Sequence, residues 1–158
     1  EYRRQRQMCI RDRSKAFDVL DSFDVKYTKN VLSAHRTPAE VLNLVNNAES
    51  SGIKVFIAAA GMAAHLAGVV AAHTTLPVIG IPIPSASLNG MDSLLSTVQM
   101  PPGIPVATVA IGSSGAKNAA ILAVQILATA DDTLKQKLTH YKVNMKDEVL
   151  AKDAKLNS

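Results

Sequence analysis

The chain has 158 residues, 47% of them apolar, which suits one domain with its own core. No apolar run approaches the roughly 18 residues of a membrane span, no apolar segment follows the charged start as in a signal peptide, and the single Cys9 excludes an internal disulfide framework, so a cytoplasmic protein is expected. The formal charge of +4 raises a nucleic-acid role, but the charge is local: residues 1–13 hold five of the six arginines and a net of +3, leaving residues 14–158 at +1.

Residues 1–13 (EYRRQRQMCIRDR) are therefore set apart as a basic leader. A solvated tail and a segment foreign to the domain, resembling translated adapter sequence, are both open, and neither nucleic acid nor a membrane is expected as a partner. The domain proper is assigned to residues 14–158. Residues 15–23 (KAFDVLDSF) place Ala16, Phe17, Leu20 and Phe23 at helical spacing, and residues 25–32 read as a β-prone stretch. Thr37-Pro38-Ala39-Glu40 is a strong helix start: Thr37 as cap, Pro38 at the first helical position and Glu40 completing a capping box. Val41, Leu42, Leu44, Val45 and Ala48 give that helix a buried face, with Ser51-Gly52 as its stop.

Residues 54–60 (KVFIAAA) form an apolar strand stopped by Gly61, and residues 62–73 a helix rich in small side chains. A second apolar strand covers 76–83, a polar loop 85–90, a short helix 91–98 and a stiff turn 100–105. A strand over 106–111 leads through Gly112–Gly115 into a long helix at 116–130. Asp131, Asp132 and Thr133 can cap a last helix with Leu134, Leu138, Tyr141 and Met145 on one face. Strands alternating with helices, the strands apolar on both faces, imply an α/β fold with a covered parallel sheet. In such sheets ligands bind at the carboxyl ends of the strands, so the 33–38 loop, the Gly61 turn, the Pro84 loop and the Gly112 loop are expected on one rim.

The residues SAHRTP (33–38) stand in such a loop. Bare amides at a helix start and one guanidinium, Arg36, make an anion site. The neighbouring imidazole of His35 can move a proton near neutral pH. A solvated loop pair is the plain alternative. His65 follows a run of small residues that lets a ligand approach the backbone, and a core histidine satisfied by a backbone group is its alternative. His73 and His140 are read as structural or solvent-facing. No histidines or carboxylates show metal-ligand spacing, so no metal site is expected. GSSGAKN (112–118) lacks the G-x-x-x-x-G-K-[ST] spacing of a phosphate loop and reads better as a packing turn.

Together, VLSAHRTP (31–38), AAAGMAAHLAG (58–68), TTLPVIGIPIPS (74–85), LNGMDSLLSTVQMPPGIPVATVAIG (88–112) and AKNAAILAVQILA (116–128) resemble the PurE family of purine biosynthesis, the N5-carboxyaminoimidazole ribonucleotide mutases. The resemblance implies a flavodoxin-like three-layer α/β/α sandwich, assembled as a homo-octamer. It also implies a reaction without cofactor, in which the carboxylate of N5-carboxyaminoimidazole ribonucleotide moves from N5 to C4 of a small-molecule ribotide. By the same resemblance His35 is the catalytic proton carrier. Ser33, Ala34 and Arg36 bind the substrate, as do Gly61, Ala63, Ala64, His65 and Leu66 in a second loop over the base and the CO2. A transfer through free CO2 needs a dry pocket of small residues and one proton carrier.

Two departures and two alternatives follow from the same motifs. Met62 and Ala67 stand where bacterial mutases commonly have Gly and Pro. The family's first strand ends in a G-S-x-S-D phosphate loop, but counting back from Ser33 the chain reads QRQMC at residues 5–9. A direct carboxylase of aminoimidazole ribonucleotide is the alternative enzyme, although that branch resembles H-K-T rather than H-R-T-P; a non-catalytic nucleotide-binding subunit is the alternative outside enzymes. In a flavodoxin-like sheet the missing strand is central, and its loss is expected to exceed the roughly 5–15 kcal/mol of net stability that domains possess. The chain as it stands is therefore expected to fold poorly or lack activity. Replacing residues 1–13 by a strand ending in a G-S-x-S-D loop is expected to raise soluble yield and turnover; no gain in either counts against the expectation.

Overall fold

The computed structural model describes residues 14–157. The basic leader and the phosphate-loop positions 5–9 lie outside the described residues. The element order is α1 (residues 14–22), α2 (Pro38–Asn46), β1 (Phe56–Gly61), α3 (Leu66–Ala72), β2 (Val78–Ile83), α4 (Met91–Val98), β3 (Ala107–Thr108), α5 (Ser113–Ala128) and α6 (Asp132–Leu156).

Among the described residues the sheet is three-stranded and parallel, in the order β1-β2-β3. Every residue of β2 is buried, because the strand pairs on both sides and is covered on both faces. Its alternate side chains point into two different layers. Ile79, Ile81 and Ile83 pack with Ala116, Ala119, Ala120, Ala123 and Val124 of α5, and with Ala16, Leu20 and Phe23 of α1 and its end. Val78 faces the other way, with Ala58 of β1, Val41 and Val45 of α2, and Ala67, Val70 and Ala71 of α3. On that face α4 closes over Gly80, whose missing Cβ leaves room for Thr97, Val106 and Ala67. The three-layer α/β/α sandwich with a parallel sheet expected from the sequence is present.

The stretch 25–32 is a correction: no strand forms there. Val25 and Tyr27 do alternate with exposed Lys26 and Thr28, as in a strand. Tyr27, however, stacks on Phe17 with ring centroids 5.4 Å apart and donates its hydroxyl to Asp21 Oδ1 at 2.9 Å. Lys29 Nζ lies 4.2 Å from the Phe17 ring centroid. These local bonds tie the segment to α1, and no described strand runs beside it to offer a ladder. The strand expected at 106–111 is likewise only Ala107–Thr108, although its hydrogen bonding to β2 runs on. The Val109 amide donates to Gly80 O at 3.1 Å and the Gly112 amide to Pro82 O at 2.9 Å.

The helices fall close to their expected places. Helix α2 stops at Asn46, five residues before the Ser51 stop, and a turn with Gly52 at φ +77° follows. Helix α3 begins only at Leu66, after a turn through residues 62–65. Asp131 caps α6 as expected, accepting from the Leu134 amide at 3.0 Å. Leu134, Leu138 and Tyr141 then pack on the α1–α5 layer, and Lys137 donates to Phe23 O at 3.2 Å. Met145, expected on the same face, is exposed. No described helix is long and apolar enough to cross a membrane.

The start of α5 explains the glycine-rich turn. Gly112 takes φ +79°, which favours glycine, and a Cβ at Gly115 would run into the Ala110 carbonyl. GSSG is therefore packing, as expected. An Ala for Gly exchange inside a helix normally adds close to 1 kcal/mol. Here Gly115→Ala is expected to lose about 3 kcal/mol instead, read as a lower urea midpoint; an unchanged midpoint contradicts the close approach.

Candidate active site

Three of the four loops expected on one rim meet along the carboxyl edge of the sheet, and no contact described joins the 33–38 loop to them. Register pairs Gly61 at the end of β1 with Ile83 at the end of β2. The Gly112 amide reaches back to Pro82, and a Cβ at Gly112 would meet Pro84 Cδ at 3.9 Å. The Gly61 turn, the Pro84 loop and the Gly112 loop are thus neighbours. At the Pro84 loop, Ser85 donates to both carboxylate oxygens of Asp92, at 3.2 and 3.0 Å.

Ser33, Ala34, His35 and Arg36 form the turn into α2, with His35 and Arg36 exposed and Ser33 and Ala34 half-buried. Pro38 holds the first position of α2, where its missing N–H has no helical partner to lose. The capping box, however, does not form. Thr37 makes no side-chain cap bond, and Glu40 is exposed. Instead the Thr37 hydroxyl turns back, accepting from the Ser33 amide at 2.8 Å and donating to Ser33 O at 3.0 Å. The Thr37 amide also donates to Ser33 O at 2.9 Å. Inside this loop, Ser33 Oγ accepts from the Arg36 amide at 3.2 Å and from Arg36 Nε at 3.5 Å. The Arg36 guanidinium has no carboxylate partner among the described residues.

The second loop is built differently. Gly61 ends β1, Met62 and Ala63 are exposed, Ala64 and His65 are half-buried, and Leu66 begins α3. Met62 and His65 take φ of +55° and +54°, a left-handed conformation that costs a non-glycine residue about 1 kcal/mol or more. Glycine, which the family resemblance expects at position 62, adopts it freely. Ala67 lies in the first turn of α3, where proline is equally accepted. His65 is not inside the helix but at its N-cap, with Nδ1 2.7 Å from Ser96 O. It is thus a histidine satisfied by a backbone group through one ring nitrogen only.

No hydrogen bond joins the 33–36 turn to the 61–66 turn among the described residues; Leu32 and Leu66, which flank them, pack on the same apolar layer. His73 hydrogen-bonds Val69 O through Nδ1 at 2.8 Å, and His140 is exposed, as expected of both. Two open grooves, of about 520 and 450 Å3, lie elsewhere, one by Val45, His73 and Thr75 and the other by Ala128 and Asp132. Neither holds an arginine, and the one histidine is already bonded, so the chemistry favours the rim.

Sequence reasoning missed Ser96. Its hydroxyl donates to Met62 O at 3.3 Å or to Ser93 O at 3.2 Å, and its carbonyl takes the His65 bond. The available signal was the row of hydroxyls Ser93, Ser96 and Thr97 on an otherwise apolar helix.

A parallel α/β sandwich with an HRTP turn before α2 and a small-residue turn after β1 meets its family in comparison with known proteins. Residues 10–148 match the family model described as AIR carboxylase, and the chain belongs to that family. The N5-carboxyaminoimidazole ribonucleotide mutase of Bacillus subtilis is 56% identical over 135 residues, 85% of this chain and 83% of that protein. The proteins of the same name from Pyrococcus abyssi and Escherichia coli K12 are 57% and 51% identical, over 84% and 85% of this chain and 75% and 80% of theirs. The crystal structure of Treponema denticola PurE superposes with a TM-score of 0.85 at 28% identity, covering 94% of this chain and 92% of that one, consistent with a flavodoxin-like fold.

The Thr37 hydroxyl is what closes the His35–Arg36 turn. Thr37→Val keeps the shape but strands the Ser33 amide, and is expected to lower stability by about 1–2 kcal/mol in urea denaturation, with Thr37→Ser close to the parent.

Proposed function

We propose that this chain is an N5-carboxyaminoimidazole ribonucleotide mutase acting in purine biosynthesis. The observation that carries it is the HRTP turn, closed on itself by the Thr37–Ser33 bonds, in a chain more than half identical to enzymes of that name. His35 is exposed and available as the proton carrier. Arg36, free of carboxylates among the described residues, is the phosphate clamp together with Ser33. Gly61, Ala63, Ala64, His65 and Leu66 supply the loop over the base and the CO2, with Ala34 completing the first turn.

The chemistry balances with one histidine. The N5–carboxylate bond breaks, its electron pair stays on N5, and the imidazolium of His35 supplies the N5 proton. C4 of the aminoimidazole then attacks the released CO2, and the same imidazole removes the C4 proton. No proton is gained or lost overall, and no electron acceptor is needed. The small side chains of residues 63 and 64 leave space for CO2 beside the base.

A homo-octamer is part of the same proposal, supported by exposed Leu88 in the turn before α4 and exposed Met91, Leu95 and Val98 along α4, which invite a second copy. A cytoplasmic location is supported by the single cysteine. The direct carboxylase is less favoured because Arg36 stands where that branch has lysine.

His35→Asn is expected to cut conversion of N5-carboxyaminoimidazole ribonucleotide by about 10²–10⁴-fold, with ribotide binding retained. Aminoimidazole ribonucleotide with CO2, run in parallel, separates the carboxylase from the mutase. Ribotide binding with no conversion of either substrate, even after residues 1–13 are replaced by a strand ending in a G-S-x-S-D loop, overturns the enzymatic function.

A further inference from the structure

We propose that Gly68 and Ser96 are positioning residues for His65, fixing it as the Nδ1–H tautomer so that Nε2 accepts a hydrogen bond from an N–H of the substrate's amino or carbamate group; this rests on His65 belonging to the substrate loop. A backbone carbonyl only accepts, so the 2.7 Å contact between Nδ1 and Ser96 O puts the proton of the neutral ring on Nδ1. Nε2 is then an acceptor, and it has no hydrogen-bond partner among the described residues.

Gly68 makes that ring position possible. It is buried in the first turn of α3, and inside a helix glycine is normally worse than alanine by about fivefold in helix stability if packing is ignored. A Cβ there would collide with Cε1 and Nε2 of His65 and approach Nδ1 at 2.9 Å. The imidazole therefore lies against the bare Cα of its own helix's first turn. The obstacle is a side-chain ring that can rotate, not backbone, so alanine at 68 displaces the ring and spares the helix.

Ser96 acts at both ends of the turn. Its carbonyl takes His65 and its hydroxyl reaches Met62 O at 3.3 Å, bracketing the two residues with left-handed φ. Helix α4 thereby sets the conformation of the 62–65 turn from a position some thirty residues away in sequence.

The test uses the full chain at about pH 8, above the ordinary imidazole range. Ring nitrogen chemical shifts of His65 in the parent are expected to show the Nδ1–H tautomer. In Gly68→Ala those shifts are expected to move toward the averaged values of a free imidazole, with the thermal midpoint unchanged or raised. Turnover of Gly68→Ala is expected to fall to that of His65→Ala, and the double variant to fall no further. Ser96→Ala, the second variant, is expected to keep the tautomer but raise KM roughly fivefold at unchanged kcat, the weight of one hydrogen bond. An Nε2–H tautomer in the parent, unchanged His65 shifts in Gly68→Ala, or additive losses in the double variant overturn the proposal. A parent with the expected tautomer and no turnover separates failure of the mutase function from failure of the positioning.

Discussion

Burial of β2 on both faces is the constraint from which the rest of the molecule follows. A strand with Ile79, Ile81 and Ile83 on one face and Val78 and Gly80 on the other must be covered twice, and each buried isoleucine contributes about 1.5–3 kcal/mol. The first layer is α5 with α1 and the start of α6; the second is α2, α3 and α4. Because all pairing is parallel, every strand ends on the same edge, and the loops that follow are delivered there together. The Gly112 amide on Pro82 O carries this order one step beyond the last strand.

The two turns that carry the candidate residues are held by opposite means. The 33–37 turn is a set of short-range polar bonds closed on itself, with Thr37 and Ser33 each serving twice. The 62–65 turn is unfavourable by its own dihedrals and depends on α4 and on the space at Gly68. One side of the site is therefore determined locally and the other by tertiary packing.

That division also marks what could be read from the residues. Apolar runs without alternation gave β1 and β2, because burial on both faces leaves a plain signature. The helix at Pro38 and the cap at Asp131 were legible from local chemistry. Thr37 was legible as important but not in its direction, since its hydroxyl can face forward to the helix or back to Ser33 with the same spacing. Residues 25–32 carried a strand's alternation without a described neighbour to pair with, and Tyr27 went to Phe17 and Asp21. The left-handed φ of His65 has no decisive sequence signal, because only a few per cent of non-glycine residues take it, and its partner Ser96 is remote in the chain.

Helix α6 has a different consequence. At about 1.5 Å per residue its length, Asp132–Leu156, is about 37 Å, more than the domain needs to cover its face. Packing ends at Tyr141, and from Lys142 onward every described residue is exposed, Val149, Leu150 and Leu156 among them. A helix of this remaining length is marginal by itself in water. In a lone protomer, then, unfolding is not a single event. The distal half of α6 opens and closes on its own, exchanging its amides and admitting proteases while the β2 core stays shut.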